Sequence, residues 1–203
     1  MKLLKGTLII ANFFLLSYAA QAQASVGIGI KGGLNFANLN VSQSPGVTYN
    51  NRTGYHLGAY ALVKVGKIGI QPELLFSKQG TKYSFSTQNT EANFDYINIP
   101  IMVKLYTVAG INIQVGPQLG FVSGGEVKTT VSNVTTTSNW KDAIKGNDFS
   151  VAMGLGWDLP FGLSIDARYN LGISDNNNTG SPGAIKNQVF MASVGYRLFK
   201  LGK

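Results

Sequence analysis

The chain has 203 residues, a formal net charge of +8, no cysteine and only 13% charged residues, about half the charged fraction of an average soluble domain. Without cysteine there are no disulfides and no thiolate chemistry, and the basic excess is scattered, with no Lys/Arg run of the kind that binds nucleic acid. The 25 glycines and an aromatic fraction of 11% suit crowded, curved strands better than a water-soluble globule.

Residues 1–22 read as a secretory signal peptide. Lys2 and Lys5 form a positive start, Leu8 to Leu16 is apolar apart from Asn12, and Ala20-Gln21-Ala22 is a small-x-small cleavage site. Ala22-Gln23-Ala24 offers a second cleavage point. The apolar run falls short of the ~20 residues that a spanning helix needs. An exported domain over residues 23–203 is expected.

That domain alternates with period two in eight segments. From Val26 to Phe36, Val26, Ile28, Ile30, Leu34 and Phe36 oppose Lys31 and Asn35. From Tyr55 to Val65, Leu57, Ala59, Ala61 and Val63 oppose His56 and Lys64. From Ile68 to Phe76, Ile68, Ile70, Leu74 and Phe76 oppose Gln71 and Glu73. From Asp95 to Leu105, a run of Ile97, Ile99, Ile101 and Val103 opposes Asn98 and Lys104. Ile111 to Phe121 sets Ile113, Val115 and Leu119 against Asn112, Gln114 and Gln118. Phe149 to Leu159 sets Val151, Met153, Leu155 and Trp157 against Asp148, Ser150 and Asp158. Gly162 to Ser174 sets Leu163, Ile165, Ala167, Tyr169, Leu171 and Ile173 against Ser164, Asp166, Arg168 and Asn170. The last, Phe190 to Leu198, opposes Asn187, Ser193 and Arg197, with Val189 and Met191 falling on the polar side.

Alternation admits two arrangements. In a soluble sandwich the apolar face meets a core; in a membrane barrel it meets lipid and the polar face lines the interior. Two features select the barrel. Most segments have the ~9–11 residues that cross a bilayer when tilted. The connections also sort by length: short turns at Gly66, at Val108-Ala109-Gly110 and at Pro160-Phe161-Gly162 alternate with long polar loops, about Asn40–Arg52, Thr81–Asn93, Gly124–Asn147 and Asp175–Lys186. Short periplasmic turns and longer extracellular loops are the outer-membrane pattern. The fold expected is an all-β, eight-stranded antiparallel up-and-down transmembrane barrel, with both termini periplasmic and outer-membrane lipid around it.

The segments IKGGLNFANL, QPELLFSKQG, YINIPIMVKLY, QVGPQLGFV and LSIDARYNLGIS, in that order, resemble the PorT-like outer-membrane β-barrel family of Bacteroidetes. The resemblance covers nearly the whole exported chain. It implies an eight-stranded barrel and possible envelope or secretion proteins as partners, the founding member being tied to protein secretion. It implies no catalytic residues.

The expected interior holds Lys31, Lys64, Lys104, Arg168 and Arg197 against Glu73, Asp158 and Asp166. An eight-stranded barrel is just wide enough for side chains to fill, so these ions are read as a pairing network that plugs the lumen. His56, the only histidine, is read as a lumen polar residue. The competing reading, a lipid-modifying base with a nearby Ser and carboxylate, lacks a Ser two residues on. Tyr106, Trp157, Phe161, Tyr196 and Phe199 are expected in an aromatic girdle at the turn end, and Phe36, Tyr55, Phe76, Phe94, Phe121, Phe149 and Phe190 in one at the loop end. The glycines of IGIKGG lack the strand-then-helix setting of a nucleotide loop. The Asn run after Asp175 reads as a solvated loop rather than a cation site. The functional expectation is a monomeric, non-enzymatic barrel without cofactor or metal, acting structurally or through interactions. A secretion accessory, a lipid-modifying enzyme and a small-solute channel are the alternatives.

Overall fold

The computed structural model describes residues 24–41, 48–85, 88–131, 134–139, 146–174 and 185–202. The expected signal segment and the Asn run after Asp175 lie outside them. Nine strands are present among the described residues: β1 (Ala24–Val41), β2 (Thr48–Val65), β3 (Ile68–Phe85), β4 (Gln88–Tyr106), β5 (Ile111–Val131), β6 (Val134–Asn139), β7 (Asn147–Asp158), β8 (Leu163–Gly172) and β9 (Ile185–Leu201). Eight of them form a ring. Each pairs antiparallel with its sequence neighbours, β5 pairs with β7, and β1 closes on β9 from Val26↔Leu201 to Val41↔Ile185. β6 stands outside the ring and, among the described residues, pairs with β5 alone.

The ring answers the question of what each face meets. On β8, Ile165 is 46% exposed while Asp166 and Arg168 are 2% and 3% exposed. Large apolar side chains outside and ions inside is the reverse of a water-soluble domain and is the lipid-facing pattern of a barrel. β9 follows the same rule with apolar inward residues: Val189 and Met191 are buried inside and pack with Ala37 and Leu75.

Three tight turns lie at one end. Gly66, with φ +59°, lets β2 fold into β3 across two residues. Ala109 and Gly110, both at positive φ, turn β4 into β5, where Trp157 Nε1 donates to Ala109 O at 3.0 Å. Only glycine takes this region without steric cost.

Three expectations change. Two of the segments expected to be long loops, Thr81–Asn93 and Gly124–Asn147, are largely strand where they are described, and residues 42–47 and 175–184 of the other two lie outside the described residues. β3 runs to Phe85 and β4 starts at Gln88, so only a short connection separates them, and much of Gly124–Asn147 forms the ends of β5 and β6. The Thr-, Tyr- and Val-rich stretches there favour strands, but the lipid-type alternation had ended, and with it the signal. Phe94 does not join the loop-end girdle: it points inward at 4% exposure. Tyr106 also points inward, at 4% exposure.

Phe94 marks a reversal of the sheet. Between the turns and Ile97, β4 puts Leu105, Val103, Ile101 and Ile97 outward. Beyond Ile97, Ala92, Phe94 and Tyr96 turn inward and cluster with Val122 and Val127 of β5, while Asp95 lies on the outer side and pairs with Lys78 at 2.9 Å. The register of β4 against β5 shifts at Asp95/Tyr96. Below this line the sheet is built for lipid outside. Above it the sheet is built for water outside.

Candidate functional site in the barrel interior

Five ionic side chains converge at mid-height. Lys31 comes from β1, Glu73 from β3, Lys104 from β4, and Asp166 and Arg168 from β8; each is at most 3% exposed. Arg168 holds Glu73 as a fork, with Nη1 donating to Oε2 at 2.8 Å and Nη2 to Oε1 at 2.6 Å, the bidentate geometry that suits Arg to carboxylates. Lys31 Nζ lies 2.6 Å from Asp166 Oδ2 and 3.5 Å from Glu73 Oε1. Lys104 Nζ lies 3.8 Å from Asp166 Oδ1 and donates to Asp158 Oδ1 at 3.2 Å.

Neutral amides complete the layer. Gln71 donates to Glu73 at 2.6 Å, and Gln114 donates to Asp166 at 2.7 Å while accepting from Arg168 Nε at 3.0 Å. Tyr106 donates its hydroxyl to Asp158 Oδ2 at 2.6 Å. Gly156 leaves the room this layer needs, since a Cβ there would sit 2.5 Å from Asp166 Oδ1 and 2.8 Å from Gln114 Nε2. Buried charge is tolerated only when paired, and here three cations and three carboxylates pair with one another.

A second buried group sits one layer toward the loop end. His56 Nδ1 is 2.7 Å from Asn35 Oδ1, and His56 Nε2 is 2.8 Å from Ser193 Oγ. Asn35 Nδ2 donates to Ser77 Oγ at 2.8 Å, so its Oδ1 is the acceptor and the imidazole carries its proton on Nδ1. Ser193 can then donate to Nε2. The spacing is that of nucleophile, base and orienting amide, yet His56, Asn35 and Ser193 are 2%, 0% and 3% exposed and face the lumen, away from lipid.

The remaining ions of the expected network sit elsewhere. Lys64 and Arg197 lie at the turn end, beside an open cavity of about 440 Å³ that Leu62, Tyr106, Asp158 and Lys200 also line. Lys64 Nζ rests 3.9 Å from the centre of the Tyr106 ring. Among the described residues, no carboxylate pairs with Lys64, Arg197 or Lys200. The structure thus brings together Lys31, Glu73, Lys104, Asp158, Asp166 and Arg168, and sets Lys64 and Arg197 apart. Sequence reading did not single out Gln71, Gln114, Asn35, Ser77 and Ser193 as partners. Parity gave the inward side of all but Ser77, which lies one residue past the segment read from Ile68 to Phe76, but cross-strand register, which decides who meets whom, is not written in any one strand.

Solved structures of small barrels share this ring. Neisserial surface protein A of Neisseria is 11% identical, with 86% of this chain and 99% of that chain covered at a TM-score of 0.54. Ail, the attachment invasion locus protein of Yersinia pestis, is 14% identical, with 88% of this chain and 100% of that chain covered at a TM-score of 0.50. At such identity the likeness speaks to fold. No curated protein matches the sequence. A family model described as the outer membrane protein beta-barrel domain matches residues 20–178, most of the chain, and the protein therefore belongs to that family of small outer-membrane β-barrels.

Proposed function

We propose that this barrel is a closed, non-enzymatic outer-membrane protein that acts through its loop side, as an interaction module of the cell envelope. The carrying observation is the sheet that rises past the lipid belt. About 9–11 residues suffice to cross a bilayer, whereas β4 and β5 have 19 and 21. At their outer end β6 adds VTTTSN, every residue of it exposed, and among the described residues its second edge has no strand against it. An exposed edge is a template for an extended segment of another protein. The paired ions at mid-lumen argue against a conducting pore, and the lumen position of His56 argues against a lipid-modifying enzyme. The likeness of the quoted segments to PorT-like barrels supports a partner within an envelope or secretion complex. In this reading the short turns and both termini are periplasmic.

Two measurements on cells and one on purified protein test this. A photo-crosslinking residue at Thr136 captures a protein partner in intact cells, and one at Leu155, 59% exposed in the lipid belt, does not. With the crosslinking residue moved to Ser138, outside the replaced stretch, replacing residues 129–136 by Asn-Gly, a two-residue hairpin turn, abolishes the capture seen from Ser138 in the intact chain, while the barrel still resists heating on gels. Protease added to intact cells cuts the β5–β6 region before the Gly66 turn. Discrete single-channel conductance of the purified wild type, or equal capture at Leu155 and Thr136, sinks the reading.

A further inference from the structure

We propose that the cavity at the turn end is a binding site for a phosphate ester. The case begins with charge. Lys64, Arg197 and Lys200 line one cavity of about 440 Å³. Its single carboxylate among the described residues, Asp158, is already engaged: it accepts from Lys104 at 3.2 and 3.4 Å and from Tyr106 at 2.6 Å. Among the described residues the three cations have no carboxylate of their own. Deeper in the lumen Lys31, Lys104 and Arg168 are matched by Glu73, Asp166 and this same Asp158. Among the described residues the barrel therefore balances its interior charge at mid-height and leaves a surplus of three positive charges at the mouth.

Size and shape narrow the ligand. The cavity volume falls within the ~300–1,000 Å³ of small-molecule sites and exceeds what a bare inorganic anion fills. Leu62 and the Tyr106 ring form apolar wall beside the cations, and the Lys64 ammonium rests on the Tyr106 ring in a cation–π contact. A doubly charged head matches two or three cations, and Arg binds phosphate oxygens as a fork. An organic group attached to that head matches the apolar wall. The rim carries Trp157, Phe161 and Phe199, 45%, 66% and 69% exposed, the aromatic residues that settle at lipid headgroup level. The phosphate can thus arrive on a soluble ester or on a phospholipid of the turn-side leaflet; the chemistry recognised is the same.

The test uses the full barrel in maltoside micelles, which contain no phosphate. One arm titrates glycerol 3-phosphate. The other titrates dihexanoyl phosphatidic acid doped into the micelles, with dihexanoylglycerol as its phosphate-free counterpart. Saturable binding of either phosphate ester, weakened tenfold or more in Lys64→Gln/Arg197→Gln and absent for dihexanoylglycerol, establishes the site, and the responding arm names the source. The double variant is checked for heat-resistant migration on gels. Should it fail to fold, Lys200→Gln, which alters an exposed side chain, must still weaken binding severalfold. No binding in either arm, or binding with the same affinity in folded variants, overturns the proposal.

Discussion

The β4–β5 ladder has two halves that follow opposite rules. In the lower half Ile101, Val103, Ile113 and Val115 lie outside, 44–54% exposed, and Gln114 and Lys104 lie inside at 1%. In the upper half Phe94, Tyr96, Val122 and Val127 lie inside, and Asp95 pairs with Lys78 on the outer face. The backbone is one continuous ladder, so the strands do not choose the rule. The solvent outside does: lipid below, water above. The crossing falls between Tyr96 and Ile97, beside the shift in register at Asp95/Tyr96.

The largest effect is expected inside the lower half. Glu73 accepts two bonds from Arg168 and one from Gln71. Removing one partner of a buried pair costs about 3–5 kcal/mol because the other charge is left uncompensated. Glu73→Ala should lower the temperature at which the barrel loses its compact migration on gels, and Glu73→Gln, which keeps an acceptor for the guanidinium, should lower it less. An unchanged transition in Glu73→Ala would mean that water already fills the lower lumen, and that the lower half is not sealed.

Next comes the outer face of the lower half. Ile165→Arg places a cation against lipid and should cost roughly 2–4 kcal/mol near the bilayer midplane. The same change at Ser123, exposed on the outer side of β5 above the crossing, should cost little. Refolding equilibria in lipid vesicles measure both. Equal costs at the two positions would erase the boundary. Inside the upper half, Val127→Ala removes two methyl groups from a cluster of buried side chains, worth about 0.8 kcal/mol per buried CH₂ plus a cavity contribution. A loss near 2 kcal/mol is expected by the same measurement, and none is expected if the upper cluster is loose.

The lower half was legible in the sequence because both of its faces have a strict demand. Lipid allows Ile97, Ile99, Ile101 and Val103 and excludes charge, while a narrow lumen takes Asn98 and Lys104, so parity gave strand and the two faces, and segment length with the alternation of short and long connections gave the fold class. The upper half was harder to read. Water tolerates almost any polar residue, so Thr81–Asn93 and the stretch after Gly124 looked like loops, although their Thr, Tyr and Val content favours strands. The inward turn of Phe94 was hidden for the same reason: an aromatic at the edge of the belt fits a girdle and a small core equally well. In the lumen, parity placed Lys64 and Arg197 with the other ions. Yet Lys64 stands two residues before the Gly66 turn and Arg197 beside Tyr196 of the turn-end girdle, and the strand register keeps both at the mouth, apart from Glu73 and Asp166.

The smallest effect tests the boundary most sharply. Asp95 pairs with Lys78 at 2.9 Å, with side chains 33% and 39% exposed, and its backbone carbonyl accepts from Ser123 Oγ at 3.1 Å. A pair in water is worth about 0–1 kcal/mol and is screened by salt. Asp95→Asn removes the charge while leaving the backbone carbonyl to Ser123, so stability should fall by less than about 1 kcal/mol. The loss should shrink further as ionic strength rises beyond ~0.15 M, where the Debye length is about 8 Å. Were the lipid belt to extend one residue pair higher, the same substitution would leave Lys78 facing hydrocarbon without the Asp95 charge, and the cost would approach the ~2–4 kcal/mol of a cation on the lipid face and would not respond to salt. A small, salt-sensitive loss keeps the crossing at Ile97; a large, salt-insensitive one moves it above Asp95.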